Sequence, residues 1–224
     1  ALHTDPAPPI LLVLLAGLLL PAPAAAKKSA RVGVLLDDSG PHAMAALAGI
    51  KKEVLALTSG EFEVSFPADR QVAGGFSASK IEAGLKQLLA AKDLDLVLAL
   101  GPLAAQAAGR IKAPARPLLA TPVFDPVAQG LPLVKGRSGR KNFTYLTTPL
   151  GFQRSVLAFH KMVPFRKLAV FLHSSYVTTF PNIGKKIATH PPAKKIGVVF
   201  RPVADRAPAP SAGEMATCQT RSAT

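Results

Sequence analysis

Ser77 and Lys80 stand three residues apart, the spacing at which a lysine amine can take the proton of a serine hydroxyl and turn it into a nucleophile. No Lys-Thr-Gly or Ser-Asp-Asn partner follows them. They coincide instead with a helix start, where Ser79 and Glu82 have capping-box spacing. Capping explains them without catalysis. His3, His42, His160, His173 and His190 show no ligand spacing with one another or with Cys218, so no metal centre is expected. Gly136-Arg-Ser-Gly-Arg-Lys141 has the composition of a phosphate loop but the wrong spacing, and no G-x-G-x-x-G follows the first strand pattern. No nucleotide or other cofactor is expected.

A different set of polar residues remains, and it shares a position in the pattern. Asp37, Asp38 and Ser39 follow one strand pattern, Gly101 follows a second, Thr121 and Asp125 follow a third, and Ser174, Ser175 and Tyr176 follow a fourth. Open α/β sheets bind ligands at the carboxyl ends of their strands. Hydroxyls, carboxylates and backbone amides gathered there would hold a small polar ligand and catalyse nothing. Each residue also has a local explanation: Asp37-Asp38-Ser39-Gly40-Pro41 is a turn entering a helix, and Asp125-Pro126 starts a turn.

The elements that would position these residues follow from the hydrophobic period. Arg31–Leu36 reads as a buried strand, and Met44, Leu47, Ile50, Val54 and Leu57 then recur at helical spacing behind Pro41. Phe62–Phe66 alternates as a strand; Ile81, Leu85, Leu88 and Leu89 form the next helical stripe. Leu94–Leu100 is apolar except for Asp95, as in a strand covered on both faces. A helix over Leu103–Ile111 leads to a strand at Pro117–Ala120. This alternation predicts an α/β fold with a parallel sheet.

Organisation changes near residue 148. Val127–Asn142 is a basic, Gly-rich excursion before a strand at Phe143–Thr147, and Thr148-Pro149 suits the start of a helix whose face carries Phe152, Val156, Phe159, His160 and Val163. A strand at Lys167–Leu172, a helix at Thr178–Ala188 and a strand at Lys195–Phe200 begin a second α/β unit. The predicted organisation is a first lobe at 27–148, a partial second lobe at 149–204 and a disordered tail at 205–224.

Ile10–Leu20 is an apolar run followed by small residues up to Ala26. It is shorter than the roughly 20 residues a membrane helix needs, so residues 1–26 read as a cleavable export signal whose basic start is missing, and the mature chain as soluble and periplasmic. The formal net charge is +14. The basic residues are scattered and little interleaved with aromatics, which argues against a nucleic-acid partner. One cysteine allows no intrachain disulfide, so 49% apolar residues must supply stability through a core.

Four segments carry a resemblance: Leu94–Ala108, Pro117–Leu131, Asn142–Tyr145 and Val163–Leu172, above all Asp125-Pro126, Gly130-Leu131 and Asn142-Phe143-Thr144 in that order. Together they resemble the substrate-binding proteins of ABC transporters, of the type that includes tryptophan, tyrosine and sugar binders. The resemblance implies a type I periplasmic-binding-protein fold, two Rossmann-like lobes closing on an amino acid or sugar, and an inner-membrane ABC permease as partner. It marks Asp125 and Asn142 as family-pattern positions. The second lobe is incomplete against that pattern, and the tail after Asp205 departs from it, so a truncated chain is expected. Two other readings stay open: a cell-envelope scaffold or efflux-associated component using the basic surface, and an exported hydrolase using Ser77 and Lys80.

Overall fold

Val32, Val34 and Leu36 turn one way from the first strand, β1 (Lys28–Leu36), and Leu35 turns the other, because side chains alternate across a strand. Both faces are buried. The computed structural model describes residues 26–147, 151–180 and 197–203, and only the backbone at 151–153 and 197–203. The expected signal up to residue 25, the helix start at Thr148-Pro149, the later part of the expected helix at Thr178–Ala188 and the tail at 205–224 lie outside the described residues.

Six strands form the main sheet: β1, β2 (Phe62–Ser65), β3 (Gln71–Ala73), β4 (Leu96–Leu100), β5 (Leu118–Val123) and β6 (Phe143–Thr147). Its order is β2-β1-β4-β5-β6, with β3 also on β1, and every pairing is parallel. Residues Lys28–Arg31 of β1 pair with β2, and Val34–Leu36 pair with β3, so the two short strands share one edge of β1. The three-residue β3 has no sequence pattern of its own.

Helix α1 (Pro41–Thr58) covers one face; α2 (Ala78–Ala90) and α3 (Pro102–Arg110) cover the other. On the α1 side Leu47 packs with Val32, Val34, Leu36, Leu98 and Leu100. On the opposite side Ile81, Leu85 and Leu88 pack with Leu35, Val97, Ala99 and the apolar residues of α3. Each fully buried leucine contributes about 1.5–3 kcal/mol through removal from water. Two expectations are corrected here. Met44 and Leu57 are exposed rather than on the buried stripe of α1, which runs instead through Ala43, Leu47, Ile50 and Val54. The cap of α2 is Ser77, whose Oγ accepts the Lys80 N–H, and not Ser79 with Glu82; Glu82 pairs with Arg110.

Beyond the main sheet lie α4 (Gly151–Met162), β7 (Lys167–His173), α5 (Ser174–Thr179) and β8 (Gly197–Val203). Strand β7 pairs in parallel with β8, as a separate two-stranded sheet. Among the described side chains of α4 the half-buried ones are Val156, Leu157 and His160, whereas Phe159, and Val163 just past the helix, are exposed. Phe159 and His160 both meet the ring of Phe165. A helix opening at Thr178 is not what the described residues show: a six-residue helix runs over Ser174–Thr179 and ends at the extended backbone of Phe180, with His173 capping its start, Nδ1 accepting the Ser175 N–H at 3.1 Å.

Candidate functional site

Because the strands of the main sheet are parallel, the residues that follow β1, β4 and β5 emerge at one edge. Asp37, directly after β1, is 4% exposed. Its Oδ1 accepts the Ala104 N–H at 2.7 Å, and its Oδ2 accepts the Leu103 N–H at 3.0 Å and the Tyr176 hydroxyl at 3.3 Å. Leu103 and Ala104 lie in the first turn of α3, whose leading N–H groups have no partner within the helix. A carboxylate from a neighbouring strand thus caps α3 and meets the positive end of its dipole.

Gly101 makes that approach possible. Its φ of +135° suits glycine, and a Cβ there would fall 2.3 Å from the Asp37 carboxyl carbon. Its N–H donates to Thr121 O at 2.8 Å, tying the ends of β4 and β5 together beside the cis Thr121–Pro122 peptide.

The end of β7 and the helix α5 after it meet the same edge. Ser175 Oγ donates to Phe76 O at 2.7 Å, and Phe76 stacks on the His173 ring at 4.3 Å between centroids. Tyr176 stacks on Phe180, which is buried in the core on the α2–α3 face of the main sheet. Gln106, on α3, donates to Thr179 O at 2.6 Å. Helix α5 is therefore seated on the carboxyl edge of the main sheet, with Tyr176 on Asp37 and His173 on Phe76.

Of the expected site residues, Asp37, Gly101, Ser175 and Tyr176 come together, with Thr121 behind Gly101 through its carbonyl. Asp38 turns to the Gly40 N–H, and Asp125 Oδ1 accepts the Ala128 N–H at 2.9 Å, within a turn that Gln129 also holds by accepting from Phe124 N and Asp125 N. Ser39 is exposed on the helix approach, and Ser174 O accepts the Thr178 hydroxyl inside α5. Asn142 donates to Pro114 O from a backbone with φ of +58°. Phe76, His173 and Gln106 are not among the expected site residues. The available signals were a lone aromatic in a Gly-Gly-Phe turn, a histidine ending an apolar strand, and a glutamine inside an alanine-rich helix.

Burial pushes the Asp37 carboxyl up from 3.8 to about 6, against the bonds from Leu103, Ala104 and Tyr176 that hold it down. Burial also raises the Tyr176 phenol, and the facing Asp37 adds to the effect. The unfolded chain ionises Asp37 as pH rises through about 4, whereas the folded chain keeps it protonated until about 6. Folding stability should therefore fall between those values, by up to about 3 kcal/mol from this residue, and level off above. Urea midpoints taken across this range test the expectation: the slope should shrink in Asp37→Asn, and an unchanged slope would assign it to other groups.

This architecture occurs in solved structures. A conserved domain protein from Vibrio cholerae superposes with a TM-score of 0.58 at 19% identity, covering 79% of this chain and 58% of that one. The ABC domain in complex with L-Trp from Streptococcus pneumoniae gives 0.52 at 22% identity over the same shares, 79% and 58%. A leucine-binding protein from Thermotoga maritima gives 0.50 at 12% identity, covering 87% of this chain and 53% of that one. The chain has the type I periplasmic-binding-protein fold.

The binding-protein fold agrees with the α/β architecture expected from the sequence. The chain spans 53–58% of the length of these three solved proteins. Protein-family models and curated proteins give no match to the sequence. No helix among the described residues is long and apolar enough to cross a membrane.

Proposed function

We propose that this chain is the exported solute-binding component of an ABC transport system, with the crevice between its two α/β units as the binding site. The observation that carries the reading is the convergence of side chains from both units at the carboxyl edge of the main sheet: Tyr176 on Asp37 and Ser175 on the carbonyl of Phe76. The fold supports it, since the Streptococcus pneumoniae domain is solved with L-Trp and the Thermotoga maritima protein is a leucine-binding protein.

In this reading residues 27–148 form the first lobe and the second begins at 149. Withdrawal of α5 uncovers the Asp37 carboxylate, the hydroxyls of Ser175 and Tyr176, and the flat rings of Phe76 and His173. An amino acid or sugar then takes the place of the withdrawn groups: its ammonium or hydroxyl on Asp37, its apolar part on the rings. Closure shifts the population toward the liganded form, which an inner-membrane permease would recognise. The chemistry needed is reversible hydrogen bonding, and Ser77, occupied as a helix cap, serves no hydrolytic step.

A thermal-shift screen of amino acids, sugars and nucleosides tests the proposal. At a concentration near 100 times Kd a ligand stabilises the folded state by about 2.7 kcal/mol, enough to raise Tm by several degrees. At least one compound should do so, and Asp37→Ala should abolish its effect. A flat response across all three classes would sink the proposal.

A further inference from the structure

The basic excursion between β5 and β6 is a built structure. Val134 and Arg137 exchange two backbone hydrogen bonds, Val134 N to Arg137 O at 2.7 Å and Arg137 N to Val134 O at 3.0 Å. Lys135 and Gly136 turn the chain between them with φ of +49° and +79°. Three side chains brace the loop that carries this small hairpin. Tyr145 OH donates to Pro132 O at 3.0 Å, Ser138 Oγ donates to Phe143 O at 2.5 Å, and Arg140 Nη1 donates to the carbonyls of Gly109 and Ile111 at the end of α3.

Between the hairpin and β6 lies an open concavity of about 610 Å³. Arg137, Arg140 and Lys141 line it together with the hydroxyl residues Ser138, Thr144 and Thr147, and no acidic side chain does. Arg137 and Lys141 are exposed and make no ion pair among the described residues. Arg140 is held in place by one nitrogen, which leaves the rest of its fork for another acceptor. Three cations held in one concavity repel each other and focus a positive field, and an anion entering it relieves both effects.

We propose that this concavity is a second binding site, for a phosphate group. A tetrahedral dianion offers acceptors in several directions at once, which suits two guanidinium forks, an ammonium and surrounding hydroxyls better than a single planar carboxylate does. The spacing of Gly136–Lys141 is not that of a nucleotide-binding loop, so the ligand is inorganic phosphate or a small phosphate ester, free or as a lipid headgroup. The site shares no residue with the crevice at Asp37 and stands or falls independently of solute binding there.

The test is a titration of the 224-residue chain with inorganic phosphate, followed by NMR at constant ionic strength. Saturable shifts centred on residues 136–147 are expected, and Arg137→Gln and Lys141→Gln should each weaken binding by about tenfold, as loss of one charge-assisted hydrogen bond does. Both side chains are exposed, so Tm should stay unchanged. Asp37→Asn should leave the affinity as it was. Glycerol phosphate and vesicles containing phosphatidic acid separate the sources: binding of the soluble ester without vesicle binding identifies a free ligand, whereas vesicle binding that phosphate displaces identifies a headgroup. Absence of saturable shifts up to about 10 mM phosphate overturns the proposal. So do shifts spread over the whole basic surface, and vesicle binding that phosphate does not displace.

Discussion

Asp37→Ala should lower the folding stability of this chain by about 3 kcal/mol at pH 5, read as a shift of the urea midpoint with an unchanged slope. The substitution strips the acceptor from two buried N–H groups, Leu103 and Ala104, and from the Tyr176 hydroxyl. Each buried donor left without a partner costs about 1–3 kcal/mol, and some of the three regain water through the space opened. The pH matters. Near neutrality the native carboxylate carries its own desolvation cost, which truncation removes, so the loss should be smaller at pH 7 than at pH 5. A loss that is equal at both values would show that Asp37 does not titrate as its burial demands.

Gly101→Ala is expected to be at least as damaging, at about 3 kcal/mol or more. The backbone at φ of +135° is strained for any residue with a Cβ. The added carbon would also lie 2.3–2.7 Å from the carbon and both oxygens of the Asp37 carboxyl, and that carboxyl cannot swing away without releasing the start of α3. Gly49→Ala is the matched control. Gly49 is exposed in the middle of α1 with nothing within 4 Å of the added carbon, so alanine there should stabilise by about 0.5–1 kcal/mol through helix propensity. If Gly101→Ala also proved harmless, the carboxylate would not occupy the start of α3.

How much of this was legible depended on whether the causes lay close together in the chain. Strands β1 and β4 were readable because burial on both faces requires an unbroken apolar run, and α2 because Ile81, Leu85 and Leu88 all point to one core. Strand β3 was invisible: Gln71-Val-Ala owes its conformation to the free edge of β1 beside it. The start of α5 was missed for a related reason, since its cap is a histidine ring. The site was half legible. The strand-end rule named Asp37, Gly101, Ser175 and Tyr176, which the fold brings together. It could not reveal that Asp37 faces α3, that Gly101 yields space to Asp37, or that Phe76 meets His173, because these contacts join residues 64 to 97 positions apart.

The order of strands in the main sheet carries a consequence for how the chain assembles. After β1 and β2 have met, β4 docks on the other edge of β1, and β5 and β6 each dock on the strand before, in the order in which they leave a ribosome. Growth can thus proceed outward from the N-terminal half, with no early segment waiting for a late one to be inserted between its neighbours.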